Sequence, residues 1–195
     1  MTPDQALRRT VLIVALLNIG YFGVEFTAAS AINAVSLFAD SVDFLEDASV
    51  NLLVFVAIGW TALRRARMGM VLAGLMVVPA VAFLWTLWQK YMDPTTPDAQ
   101  ILTLIGVGAL AINLTCAVLL ARHRKTAGSL TRAAFLSARN DALANVGIIA
   151  AGLFTALHPS VWPDLLVGLG IAAMNLNAAA EVWETARSDE KAART

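Results

Sequence analysis

Apolar residues run along this chain in blocks of about 20, the length a helix needs to cross a hydrocarbon core. Short polar breaks separate the blocks. The pattern predicts six helices, over 10–31, 33–60, 68–89, 99–121, 131–157 and 163–185. They form one all-α, six-helix transmembrane bundle that takes up the chain, 1–195, as a single domain. The first two follow one another almost without a break, and Pro79 is placed to kink the third. After the sixth only a charged tail, 186–195, remains.

The second block departs from this pattern. Asp40, Asp43, Glu46 and Asp47 fall within eight positions of otherwise hydrophobic sequence. On a helix, Ser36, Asp40, Asp43, Asp47 and Asn51 succeed one another at spacings of three and four and form a single polar stripe. A carboxylate near the middle of a bilayer costs roughly 2.5–3.5 kcal/mol on insertion scales. Such a stripe must turn away from lipid toward something that offsets its charge, and a bound cation is the simplest candidate.

The fifth block carries a second polar row, with Ser137, Asp141 and Asn145 one turn apart. At about 1.5 Å rise per residue, Asp141 lies roughly 15 Å from the basic end of its helix, and Asp47 roughly 20 Å from the same end of its own. The two rows therefore reach similar depth and can face one another. Arg139 and Asn140 point to other faces; Arg139 either neutralises an empty carboxylate or snorkels to the interface. In the first block Asn18 and Glu25 are polar, and Glu25 either lines the same interior or bonds a neighbouring helix. Asn113 reads as interhelical glue, and Gly168, Gly170 and Ala172 as a close-packing surface.

Composition narrows the class. The chain has 195 residues, 58% of them hydrophobic and only 14% charged, against about a quarter charged in soluble domains. Its formal net charge is zero, which argues against a nucleic-acid partner held by counterion release. Cys116 stands alone, so neither an internal disulfide nor a cysteine metal cage can form. His123 and His158 sit in loops without partner ligands. Of the 14 Lys and Arg, 12 lie at helix ends that six spans place on one side, so the positive-inside rule puts both termini in the cytoplasm. Lys90 and Tyr91, with Trp85, Trp88 and Trp162, read as interfacial anchors on the outer side. Arg8-Arg9 before an apolar run is also reminiscent of a signal peptide, but Asn18 and Glu25 interrupt the run, and cleavage leaves an odd number of spans. No nucleophile–base pair or cofactor fingerprint is visible, so no enzyme and no resident cofactor is expected.

The second-block sequence N-A-V-S-L-F-A-D-S-V-D-F-L-E-D resembles the second-helix signature of the cation diffusion facilitator family, membrane exporters of zinc and related divalent cations. N-D-A-L-A-N-V-G-I-I-A resembles that family's fifth helix. Asn18 and Glu25 match polar positions of its first helix, and Pro163-Asp164 the start of its sixth. The resemblance implies that Asp43, Asp47 and Asp141 bind the transported ion. Glu25 and Asp40 are then expected to line an approach on the outer side, with Asn140 and Asn145 as further candidates for the pathway. Two departures matter. Ser137 stands where the family has a histidine, and the family's cytoplasmic C-terminal domain is not expected in this chain.

With Ser137 as a weak fourth contact the donor set is all oxygen, which either shifts preference toward Mn²⁺, Fe²⁺, Co²⁺ or Mg²⁺ or loosens selectivity. Zn²⁺ and Cd²⁺ remain candidates because aspartate also ligates zinc. Metal and protons compete for the same carboxylates, so proton antiport is the expected drive. Further expectations are a multi-pass place in the cell membrane and a homodimer, if any, formed through the transmembrane helices. The rival reading is a transport-inactive relative serving as a regulatory or assembly subunit.

Overall fold

A computed structural model describes residues 3–57, 60, 61, 63, 64, 67, 70, 71, 83–122 and 128–192. Its elements are helices α1 (Pro3–Ile32), α2 (Val35–Ala57), α3 (helical residues 83–92), α4 (Ala99–Ala121), α5 (Gly128–Leu157) and α6 (Trp162–Ala192). Among the described residues there is no strand. Most of the expected third helix, with Pro79 and its kink, lies outside the described residues. α1 begins well before the apolar block, at Pro3, and α6 runs on through most of the charged tail. Charged residues are good helix formers, so these helices continue after their apolar stretches end.

The abrupt turn between α1 and α2 has a local cause. Asn33 adopts a left-handed backbone, φ 51°, and the Ala34 amide donates to the Ala29 carbonyl at 3.0 Å. This six-to-one bond closing a left-handed residue is the Schellman way of ending a helix, and asparagine is one of the few residues that tolerates it. At the start of α4, Asp98 accepts from the amides of Gln100 and Ile101, both at 2.9 Å, which satisfies two orphan donors.

The bundle is a helical transmembrane one, apolar on its outer surface. Leu16, Leu104, Leu143 and Leu166 are among many large apolar side chains that face outward. Gln5–Ile32, Ala99–Ala121 and Ala138–Leu157 are long and apolar enough to cross a membrane by composition alone. α2 does not qualify on that measure because of its carboxylates. Span hydroxyls turn back on their own helices: Thr27 donates to the Gly23 carbonyl at 2.7 Å and Thr115 to that of Ala111 at 2.7 Å. Backbone and hydroxyl groups thus find partners without water.

α2 is the central helix, packed on α1, α4, α5 and α6; α4 and α5 make the most extensive pair. Small residues let that pair close up. A Cβ placed on Gly152 meets the Thr103 backbone nitrogen at 3.0 Å, and one on Gly106 meets Ile148 Cγ2 at 3.0 Å. Two apolar clusters result. One, with Ala29, Leu37, Leu102, Ile148 and Ile171, lies toward the α1–α2 turn. The other, with Val11, Val14, Val54, Cys116 and Leu120, lies toward the opposite end. By register along α1, α2, α4 and α5, the buried polar residues occupy the layer between them. At that opposite end the Arg8 guanidinium stands 5.7 Å from the Phe55 ring centroid, and Arg67 pairs with Glu190 at 3.4 Å. The start of α1 and the ends of α2 and α6 therefore share one end of the bundle.

Candidate functional site

Ser36, Asp40, Asp43, Asp47 and Asn51 of α2 are all buried, so the stripe of threes and fours faces the bundle. From α5, Asn145 is buried and Asp141 half-buried on the side toward α2. The Asp141 carboxylate acts electrostatically on Asp43, alongside Asp40, Glu46 and Asp47. Both Asp47 and Asp141 also act on Cys116 of α4. The acidic residues of the second and fifth helices therefore share one interior layer.

A hydrogen-bond chain crosses that layer. The Asn113 amide of α4 donates to Asn145 Oδ1 at 3.0 Å, and Asn145 Nδ2 donates to Asp40 Oδ2. Asn145 is thus fixed in orientation by a partner on each side, and it holds one oxygen of Asp40 in place. Glu25, from α1, is fully buried beside Asp40. Asn18 is buried too, its Oδ1 meeting the Cys116 thiol at 3.9 Å. Among the described residues, no three His, Cys, Asp or Glu side chains converge to hold a single metal ion. Ser137 belongs to α5, but its side chain lies outside the described residues.

Asn140 departs from the expectation that it lines the pathway. It is exposed and accepts from Arg139 Nη2 at 3.3 Å. One residue turns a helix by about 100°, which carries Asn140 off the face that Asp141 and Asn145 share. Arg139 is exposed with it.

Lys90 departs as well. Expected at the interface with Tyr91, it is fully buried. Its Nζ donates to the Asn33 carbonyl and stands 3.7 Å from Asp164 Oδ2. Asp164, in the first turn of α6, caps α2 from another helix. It accepts from the amides of Val35 and Ser36, each at 2.9 Å, and from the Ser36 hydroxyl at 2.6 Å. Ser36, first in the polar stripe, therefore serves this cap. A carboxylate at a helix N-terminus is favoured by the orphan N–H groups and the helix dipole. Gly168 permits the approach, since a Cβ there meets the Ser36 nitrogen at 2.9 Å. In the sequence Asp164 shows as an acid in the first turn of an apolar helix and as part of the Pro163-Asp164 start, and neither names its partners, which lie more than 70 positions away. Trp85, Trp88, Tyr91 and Trp162 are exposed.

Residues 11–188, nearly the whole chain, match the family of the cation efflux transmembrane domain. A comparison with curated proteins found no match.

Proposed function

Since the chain belongs to the cation efflux family, we propose that it exports a divalent metal cation from the cytoplasm in exchange for protons. The family's members move cations across membranes and are not enzymes. The observation that supports a particular place for the ion is that Asp141 on α5 lies near enough to act electrostatically on Asp43 of α2, within the layer of buried polar residues. Buried carboxylates of one sign, drawn from two helices, favour a multivalent cation between them. In this reading Asp43, Asp47 and Asp141 ligate the ion, and Ser137 adds a hydroxyl or holds a water. Relative movement of α2 and α5 brings the ligands together around the ion and opens them to each side in turn.

An all-oxygen shell favours Mn²⁺, Fe²⁺ or Co²⁺ over the softer choices and still admits Zn²⁺ and Cd²⁺. Protons reload the carboxylates when the metal leaves, which gives the antiport its coupling. The basic end, with Arg8 and Arg67, faces the cytoplasm of a cell membrane. Any homodimer forms through the lipid-facing helices. Proteoliposomes test the reading. Mn²⁺ uptake with matching proton release is expected of the wild type, and loss of both in Asp47→Asn. Uptake that survives in Asp47→Asn and Asp141→Asn alike removes the site from α2 and α5.

A further inference from the structure

Glu25 of α1 and Asp40 of α2 lie beside one another, with Asp40 about one turn nearer the α1–α2 turn than Asp43. Both side chains are fully buried. Both Glu25 oxygens and Asp40 Oδ1 have no hydrogen-bond partner among the described residues. The two carboxyl groups lie within bonding reach of one another; when both are ionised they are acceptors only and cannot satisfy each other. The neighbours that could supply one are committed elsewhere. The Tyr21 hydroxyl donates to the Ile105 carbonyl at 2.6 Å, and its ring rests on Phe44, centroids 5.0 Å apart. The Asn145 amide reaches Asp40 Oδ2, leaving Oδ1 open. The charged groups that act on the pair, Asp43 and Asp47, are negative.

We propose that Glu25 and Asp40 form a second divalent-cation site, a single ion bridging the two carboxylates one turn of α2 from Asp43. Two carboxylates and one doubly charged ion sum to zero, which removes the main cost of burying either. The donor set is hard oxygen throughout, suited to Mn²⁺ or Mg²⁺, ions that ligate to one or two carboxylates and keep several waters. Asp40 is a prepared ligand because Asn113 and Asn145 fix it, an outer-shell arrangement typical of metal sites. The site lies nearer the α1–α2 turn than Asp43 and Asp47, so it is the second station on the ion's path. A pair of adjacent stations lets an arriving ion weaken the hold on the one ahead.

This inference rests on the transporter reading, and one titration separates the two. Mn²⁺ binding to the purified full chain in lipid nanodiscs is counted by the electron-paramagnetic-resonance signal of free Mn²⁺. Wild type is expected to bind one equivalent more than Glu25→Gln, and Asp40→Asn to match Glu25→Gln. Both variants should keep the equivalent that Asp47→Asn loses. A wild-type count of one ion, unchanged in Glu25→Gln, overturns the second site and leaves the proposed function standing. An equivalent lost in Glu25→Gln, with none lost in Asp47→Asn or Asp141→Asn, supports the second site and overturns the first. Glu25→Gln and Asp40→Asn, on different helices, are expected to lose the same equivalent, so whichever of the two folds decides whether the second site exists.

Discussion

Asp164 and Glu25 are equally buried acids with opposite surroundings. Asp164 meets two backbone amides, a hydroxyl and the Lys90 ammonium. Glu25 meets no hydrogen-bond donor among the described residues. A buried charge that is fully partnered is doing structural work, here joining α2, α3 and α6 at one end of the bundle. A buried acid without partners is held against its own preference by the packing around it, and it becomes stable when a cation or proton arrives. The contrast also orders the layers along α2, with a closed polar joint at its start and an open acidic interior one turn on.

The largest effect should come from breaking the joint. Asp164→Ala strands the Lys90 charge and removes the acceptor for three donors, at an expected cost of about 3–5 kcal/mol. Melting of the purified protein in nanodiscs measures it, and an unchanged midpoint would show that the joint is dispensable. Glu25→Gln, by contrast, should leave the metal-free midpoint unchanged or raise it, since a neutral amide is cheaper to bury than an unpaired carboxylate. A drop as large as that of Asp164→Ala erases the distinction between the two regions.

The next effect sharpens the comparison through packing. Gly152→Ala pushes a methyl group against the Thr103 backbone, which should destabilise the α4–α5 pair by about 1–3 kcal/mol. It should do so equally with and without metal, because the clash lies away from the acids. Asn145→Ala then frees Asp40 from its clamp. Mn²⁺ affinity is expected to fall about tenfold to a hundredfold, as when outer-shell partners of a metal ligand are removed. Calorimetric titration would read it, and an unaltered affinity would mean that Asp40 needs no such support. Smallest in size is Ser137→His, which exchanges an oxygen donor for an imidazole. Competition between Zn²⁺ and Mn²⁺ for uptake should move toward Zn²⁺; an unmoved ratio places Ser137 away from the ion.

The two regions also differ in how far sequence reveals them. The inward stripe of α2 is legible because periodicity is local: Asp40, Asp43 and Asp47 repeat at helical spacing in an apolar block. The transmembrane helical fold and the family are legible for the same reason, since block length and motif spacing need no tertiary information. The joint is not legible. Lys90 beside Tyr91 and Trp88 has the local look of an interfacial anchor, and only Asp164, far along the chain, draws it inside. Asn140 shows the limit of adjacency, because a neighbour of Asp141 in sequence is about 100° away on the helix. The unpartnered state of Glu25 depends on where Tyr21 and Asn145 send their hydrogens, which no spacing encodes.

The central claim is that carboxylates from α2 and α5 hold one divalent ion between them, and metal-induced stabilisation tests it most directly. Melting of wild type, Asp47→Asn and Asp141→Asn is compared with and without Mn²⁺, each in the Glu25→Gln background so that the second site is silent. The account predicts a Mn²⁺-dependent rise in midpoint for the Glu25→Gln parent that vanishes when either aspartate is changed. A rise that persists undiminished in both double variants contradicts it.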